Sequence, residues 1–247
     1  MFTEEPAPGT DTGGVTPFAT VSQAALAANV AEVREILARN IYRAQPPAKI
    51  IAVTKTVGAE VVNALKPLGI LDIGENRVQV ARPKLNAIDP QFRLHWIGRL
   101  QTNKVKDIID KVWLLQSLDR IALAEEVERR AEQQNRTLDA LVQVNIAGET
   151  QKAGFTPQDV RPFLRRMKDY HSLRIRGLMA IMPFIDDEAQ LTVYFQGMRT
   201  LFDALAQEGY ENVRMEELSM GMSHDFAIAA REGATMVRVG TALYRPR

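Results

Sequence analysis

"IIAVTKTVG", residues 50–58, is a nearly unbroken apolar run that ends on a lysine, Lys55. A strand that is apolar at every position, rather than at alternate positions, is typical of a parallel sheet covered on both faces. The simplest reason for a lysine at its end is that the strand reaches water there. The rest of the chain indicates whether Lys55 does more than mark a strand end.

Seven further apolar runs follow along the chain, and helical patterns separate them. The eight predicted strands cover residues 49–54, 70–74, 93–98, 112–117, 139–146, 173–181, 214–219 and 235–240. The predicted helices include residues 59–67, 119–134, 157–169, 188–208 and 224–232. This alternation predicts an α/β fold, a single (β/α)8 TIM barrel domain over residues 21–247. A doubly wound open sheet is the alternative, but its first strand is normally followed by a glycine-rich phosphate loop, which TKTVGAE is not.

The two ends of the chain complete the prediction. Residues 22–44 have the periodicity of an amphipathic helix, with Ser22 as its N-cap. The last strand is followed only by TALYRPR, which is too short for a full helix, so we expect the 22–44 helix to close the ring. Residues 1–20 contain three prolines and three glycines and are predicted to form a flexible tail.

Composition excludes several kinds of function. A net charge of +1 over 247 residues gives no long-range attraction to nucleic acid or anionic lipid. The absence of cysteine rules out disulfides and thiolate chemistry, and three histidines without helical pairing argue against a metal site. Because no long apolar stretch or signal sequence is present, we expect a soluble cytoplasmic protein with no membrane partner. We expect a monomer, because no long apolar helix is left over for an interface.

The ends of the last two predicted strands carry groups suited to an anion. SMGMS contributes the hydroxyls of Ser219 and Ser223 around Met220, and the next strand ends on Gly240 and Thr241. In a barrel, the loops after strands seven and eight commonly hold a phosphate. Either loop alone could be an ordinary helix cap, but their occurrence together favours a phosphate site.

Arg238 is a charge inside an otherwise apolar strand, MVRVG. A buried guanidinium needs partners, because an unpaired buried charge costs several kcal/mol. One interpretation is an ion pair with Glu75 or Glu217 at a strand end. The other is that Arg238 donates to a ring nitrogen or carboxylate of a ligand.

Taken together, the predicted barrel mouth holds a lysine, an arginine and an anion cradle. A desolvated lysine near cationic groups is a usable nucleophile for aldehydes. An aldehyde that also carries a phosphate and a ring nitrogen is pyridoxal 5′-phosphate (PLP). Lys55 is therefore predicted to form a Schiff base with this cofactor.

Five stretches of the sequence carry a resemblance to a known family: AVTKT, GENRVQ, HWIGRLQTNK, VNIAGETQKAGF and LSMGMSHDFAIAAREGATMVRVGTA. Together they resemble the YggS/PROSC family of pyridoxal phosphate homeostasis proteins, whose fold resembles the barrel domain of alanine racemase. The resemblance implies that Lys55 is the Schiff-base lysine and that Arg238 faces the pyridine nitrogen. It further implies a cofactor site that includes Asn76 at the ring, Ser219, Gly240 and Thr241 at the phosphate, and Ser223 and Met220.

Other residues in these stretches are expected to be structural. His95 and Trp96 are predicted to pack and hydrogen-bond in the barrel floor, and Lys104 and Lys152 to be solvated or structural. The sequence departs from the family pattern at Val80, where a glutamate usually follows NRVQ, and in its early end after Tyr244.

Two features favour a cofactor carrier over an enzyme. An always-charged arginine leaves the pyridine nitrogen unprotonated, which weakens the cofactor as an electron sink. Racemases of this fold add a second domain and a tyrosine base, for which no residues are left here. We therefore expect a non-catalytic protein that buffers PLP or transfers it to apo-enzymes and so affects amino-acid metabolism. The alternatives are a PLP-dependent racemase or decarboxylase, and a Schiff-base aldolase.

Overall fold

Eight parallel strands form a closed barrel in a computed structural model, which describes residues 20–247. The strands follow one another in chain order around the ring, and β8 pairs with β1. They are β1 (Lys49–Val53), β2 (Asp72–Glu75), β3 (Arg93–Trp96), β4 (Val112–Leu118), β5 (Leu138–Val144), β6 (Leu173–Ala180), β7 (Val213–Ser219) and β8 (Met236–Val239). The barrel prediction is confirmed and the open sheet is wrong. The predicted tail, residues 1–20, lies outside the described residues except for Thr20.

Helices lie between the strands on the outside of the barrel. They are α1 (Gln23–Arg39), α2 (Ala59–Asn63), α3 (Val78–Leu85), α4 (Ile121–Gln133), α5 (Pro157–Arg165), α6 (Glu188–Ala206), α7 (Phe226–Arg231) and α8 (Thr241–Tyr244). Short 3₁₀ turns cover Lys66–Leu68, Thr102–Asp107 and Arg166–Asp169. No helix in the described part of the chain is both long and apolar enough to cross a bilayer.

The apolar side chains of the strands divide between two layers. Most join the helices in one large core, whereas a separate small cluster contains Ile51, Leu114, Leu141, Met179 and Met236. Side chains alternate between the two faces of a strand, so this small cluster marks the faces that point into the barrel. The residues two positions further along each strand point the same way, toward the mouth.

The N-terminal helix covers the end of the chain, as predicted. Ser22 caps α1 by accepting from the amide of Ala25 at 3.1 Å. Asn29, which is fully buried on α1, donates to the carbonyls of Leu243 and Arg245, both at 2.9 Å. These bonds attach α1 to α8, which is only four residues long, and to the residue after it.

The predicted length of this helix is wrong, because α1 ends at Arg39 rather than near residue 44. Arg43 has a left-handed backbone with φ +52°, which no helix can continue through. Pro46 and Pro47 then follow, and neither has an amide hydrogen for a helical bond. Most other predicted boundaries agree with the structure to within two or three residues.

Replacing the buried amide in Asn29→Leu should lower the free energy of unfolding by about 1–3 kcal/mol, because a buried carbonyl and a partly buried one lose their donor. Urea unfolding followed by circular dichroism measures this change. The matched control is Asn86→Leu on the exposed end of α3, which should change stability by less than about 0.5 kcal/mol. Equal effects of the two substitutions would show that Asn29 does not hold α1 in place.

Candidate functional site

All of the predicted site residues lie on one arc of the barrel mouth. β7, β8, β1 and β2 are consecutive around the ring, because β8 pairs with β7 and β1, and β1 pairs with β2. The residues on or directly after these strands include Lys55, Asn76, Ser219, Met220, Ser223, Arg238, Gly240 and Thr241. The structure brings these eight residues to the same side of the barrel, at different depths.

Arg238 points into the barrel, because it lies two residues after Met236 on β8. Only 3% of the residue is exposed. Its guanidinium donates to Ser219 Oγ and to the Ala180 carbonyl, both at 2.7 Å. Burial lowers the pKa of Arg238 to about 10, and the negative charge of Asp225 opposes this shift. Arg238 therefore remains a cation at neutral pH.

A chain of buried hydrogen bonds runs from Arg238 across the barrel interior. A guanidinium can only donate, so Ser219 Oγ accepts from Arg238 and donates to Gln116 Oε1 at 2.7 Å. Gln116 Nε2 then donates to His95 Nδ1 at 2.9 Å. This leaves the Nε2–H of His95 to donate to Asp72 Oδ1 at 2.9 Å. The position of Arg238 thus depends on four strands besides its own, β7, β4, β3 and β2, and His95 has the floor role that the sequence predicts.

The two carboxylates that could have paired with Arg238 have other partners. Glu75 accepts from the ammonium of Lys84 at 2.6 Å, and Glu217 accepts from Lys49 at 3.2 Å. Among the described residues, no carboxylate forms an ion pair with Arg238. The charge of Arg238 is solvated by neutral oxygen atoms instead, which favours the interpretation that the guanidinium serves a ligand.

Ser223 joins the loops after β7 and β8. Its hydroxyl oxygen accepts from the amide of Gly240 at 3.1 Å and from the amide of Ala242 at 3.3 Å. Two amides that converge on one oxygen are an arrangement that suits an anion. Thr241 between them is exposed, so its hydroxyl is accessible at the same place.

The first half of the SMGMS loop lies deeper than its second half. Met220 is fully buried and packs in the hydrophobic core. Gly221 has φ +90°, and a Cβ at this position would lie 2.4 Å from the Cβ of Ala229. Only glycine fits here, and the turn that it allows separates buried Ser219 from half-buried Ser223.

Lys55 lies in a turn, two residues beyond the end of β1, and its side chain is exposed. The expectation of a desolvated lysine is therefore wrong in this structure, because the turn carries Lys55 above the rim of the barrel. Asn76 lies directly after β2 and is half-buried, and its Oδ1 atom is buried without a hydrogen-bond partner. The backbone of Gly98 packs so closely on Asn76 that a Cβ there would lie 2.4 Å from the Asn76 carbonyl oxygen.

Several residues of the site were missed by the sequence analysis. Gln116 could have been noticed as an amide in the apolar run VWLLQS, but Asp72 and Lys84 give no such signal. The sequence gives Tyr244 no role, and the structure shows it buried with no partner for its hydroxyl among the described residues. Burial raises the pKa of Tyr244, and the negative charge of Glu75 raises it further.

The fold and site define a class of protein, the (β/α)8 barrel of the alanine racemase type. The family model described as the N-terminal domain of alanine racemase matches residues 21–247. An alanine racemase of Corynebacterium glutamicum has a TM-score of 0.69 at 14% identity, over 92% of this chain and 62% of that chain. At this identity the likeness shows the fold alone.

More similar relatives narrow the class. A pyridoxal phosphate homeostasis protein of Aquifex aeolicus is 41% identical over 206 residues, which cover 83% of this chain and 90% of that protein. The structure of PipY from Synechococcus elongatus with PLP bound is 33% identical with a TM-score of 0.77, over 89% of this chain and 100% of that chain. This chain belongs to the family of pyridoxal phosphate homeostasis proteins, within the larger group that shares the alanine racemase N-terminal barrel.

Asp72, at the far end of the series of buried hydrogen bonds, predicts that the stability of the protein depends on pH. Burial alone would raise the pKa of Asp72, but the bonds from His95 and Arg93 outweigh it and hold the pKa below its usual value. A carboxyl with a depressed folded-state pKa stabilises the fold above its unfolded pKa, about 4, and loses this contribution as pH falls through the folded value. Asp72→Asn should therefore be less stable than wild type by about 1 kcal/mol at pH 6, with the difference shrinking toward pH 3.

Urea unfolding at a series of pH values measures this difference. The control is Asp110→Asn, which removes an exposed carboxylate and should leave the pH profile of wild type unchanged. A gap between Asp72→Asn and wild type that stays constant from pH 6 to pH 3, values that bracket the usual aspartate pKa, would contradict the prediction.

Proposed function

We propose that this protein binds PLP covalently through Lys55 and takes part in PLP homeostasis, as a carrier rather than a catalyst. When bound, the cofactor supplies an aldehyde. Lys55 would supply the amine that condenses with this aldehyde, with both amine hydrogens leaving on the carbonyl oxygen as water and no change of oxidation state. The proposal is supported by the donor set of the mouth and by the names of the family's members.

The observation that carries the proposal is the buried cation Arg238. It lacks an acidic partner among the described residues, and its two hydrogen bonds go to neutral oxygens. A cation held in this way is suited to donate to a neutral ring nitrogen, and a guanidinium does not readily give up its proton to it. The residue that would hold the ring nitrogen is therefore Arg238, positioned by Ser219.

The phosphate fits the loop after β8. The amides of Gly240 and Ala242 already converge on the oxygen of Ser223, and the Thr241 hydroxyl is exposed beside them. Ser219 was expected at the phosphate, but its hydroxyl bonds Arg238 and Gln116. We assign the phosphate to Ser223, Gly240 and Thr241, and give Ser219 an indirect role through Arg238.

The remaining contacts also fit the cofactor. The unpartnered Oδ1 of Asn76 belongs to the loop after β2, beside the strand that leads to Lys55. Met220 contributes through packing, since its side chain is in the core. The set therefore includes an amine for the aldehyde, a cation for the ring nitrogen, amides for the phosphate and an amide oxygen at the ring.

Two features of the chain argue against a catalytic role. Arg238 would leave the ring nitrogen without a proton, which weakens the carbanion stabilisation on which PLP enzymes depend. Of the five tyrosines, only Tyr244 follows a strand at the mouth. Its raised pKa keeps the hydroxyl protonated, so Tyr244 is a poor base. An exposed Lys55 is consistent with loading and release of the cofactor, including transfer to apo-enzymes.

An absorbance spectrum of wild type beside Lys55→Ala, after incubation with PLP, tests the proposal. Wild type should show a yellow band that borohydride bleaches, with the reduced cofactor fixed to the peptide that contains Lys55. Lys55→Ala should lose the fixed cofactor. The control Lys104→Ala changes a half-buried lysine paired with Asp107 after β3 and should behave as wild type.

Each result has a clear meaning. A colourless wild type would overturn PLP binding and leave a barrel of the Schiff-base aldolase kind, which borohydride would trap with a sugar phosphate. Steady racemisation or decarboxylation of an amino acid by the loaded protein would overturn the carrier role. A yellow protein without turnover supports the proposal.

Substitutions of Ser219 and Ser223 should affect binding differently when PLP is compared with pyridoxal, which lacks the phosphate. Ser223→Ala should weaken PLP binding about tenfold, as expected for the loss of one hydrogen bond to a charged group, with little effect on pyridoxal. Ser219→Ala should weaken the binding of both, because it disturbs Arg238 beneath the ring. Equilibrium dialysis gives the four Kd ratios. A phosphate-dependent loss in Ser219→Ala and not in Ser223→Ala would reverse the assignment.

A further inference from the structure

A buried lysine lies directly beneath the turn that carries Lys55. Lys84, near the end of α3, is only 6% exposed, although lysine is almost never buried unless it is paired. Its ammonium donates to the carbonyl of Thr54 at 2.6 Å, to the carbonyl of Val57 at 3.1 Å and to Glu75 Oε1 at 2.6 Å. The two carbonyls belong to the residues on either side of Lys55 and Thr56.

One cation therefore fixes both ends of this turn. Thr54 is fixed further, because its hydroxyl donates to the same oxygen of Glu75 at 2.6 Å and its amide donates to the Gly74 carbonyl at 3.0 Å. Within the turn, the Val57 amide donates to the Thr54 carbonyl at 3.2 Å. The side chains of Lys55 and Thr56 are left exposed, on a backbone whose two ends are bonded to Lys84.

The energetics argue that this arrangement does more than stabilise the fold. A buried ion pair is often no more stabilising than well-packed apolar residues of the same volume, because both charges lose their hydration. A methionine at position 84 would cover the same space without that cost. What an apolar residue cannot do is hold two carbonyl oxygens at fixed distances from one point.

We propose that Lys84 is a positioning residue for Lys55, and that it fixes the 54–57 turn so that the Lys55 amine is presented to an aldehyde at the mouth. This inference rests on the proposed function, in which Lys55 Nζ forms the C=N bond and water leaves. Lys84 itself gains and loses no bond in that step. Its contribution is to the geometry of attack, to which rates of covalent reactions are highly sensitive.

The test compares Lys84→Met with the neutral double variant Lys84→Met/Glu75→Gln, which leaves no unpaired buried carboxylate and keeps an acceptor for Thr54. The matched control is Lys49→Met, which removes an ion pair between a lysine and Glu217. Lys49 is the first residue of β1, the strand that leads to Lys55. Three quantities are measured. They are hydrogen exchange of peptides covering residues 54–57 in the protein alone, the rate of covalent attachment of PLP, and the Kd for 4-deoxypyridoxine 5′-phosphate, which has no aldehyde.

Both Lys84 variants should exchange the 54–57 amides faster and attach PLP about tenfold more slowly, since small displacements of a reacting group have large effects on rate. Their affinity for the analogue without an aldehyde should stay within about twofold of wild type, a change of less than 0.5 kcal/mol. If the role of Lys84 were purely structural, its loss would slow PLP attachment and weaken binding of the analogue to the same extent. That result would overturn the proposal.

Two other outcomes separate the proposals. Attachment at the wild-type rate in both Lys84 variants, with Lys55 still the modified residue, would overturn the role of Lys84 and leave the proposed function intact. Failure of wild type and Lys49→Met to attach PLP at Lys55 would overturn the proposed function, and the role of Lys84 with it.

Discussion

The structure depends on how a permanent positive charge is accommodated inside a barrel. Arg238 has no acidic partner among the described residues, so its charge must be stabilised by oriented dipoles. The first are the Ser219 hydroxyl and the Ala180 carbonyl, and the orientation of Ser219 is fixed in turn by Gln116. Because each bond in this chain has only one workable direction, the interior has one arrangement. This series of hydrogen bonds ends on the carboxylate of Asp72. The negative charge of Asp72 therefore lies at the end of the series that is farthest from the mouth.

Lys84 is a second buried cation, and unlike Arg238 it is paired directly with a carboxylate. Lys84 bonds directly to Glu75, so its positive charge is neutralised at 2.6 Å. The two cations therefore differ in what they offer the mouth. Arg238 keeps a charge that no carboxylate contacts directly, whereas Lys84 contributes mainly directed hydrogen bonds to the backbone beneath Lys55. Under the proposed function, this difference explains how one mouth can combine a hydrogen-bond donor for a neutral ring nitrogen with a fixed backbone for an exposed amine.

Much of the fold and part of the site could be predicted from the sequence. Continuous apolar strands predict a covered parallel sheet, and a charge within one of them makes Arg238 stand out. The partners of these residues could not be predicted, because they depend on register between strands far apart in sequence. Gln116 and Ser219 are 103 positions apart, and Lys84 reads locally as an ordinary surface lysine. The exposure of Lys55 was also missed, since the sequence does not fix where a strand ends to within two residues.

Arg238 is buried and Lys55 is exposed, and this difference bears on why the proposed site would store a cofactor rather than use it in catalysis. Under the proposed function, the ring nitrogen meets a buried guanidinium, while the amine that holds the aldehyde lies at the exposed rim. Tight noncovalent contacts at the bottom retain the ligand when the bond to Lys55 is open, and water at the rim can reopen that bond. A catalyst of carbanion chemistry needs the reverse, a protected reacting carbon and a protonated ring nitrogen. Under the proposed function, the same barrel would serve catalysis only if the rim were covered and a base supplied, and the buried Tyr244, whose pKa is raised, is poorly suited to be that base.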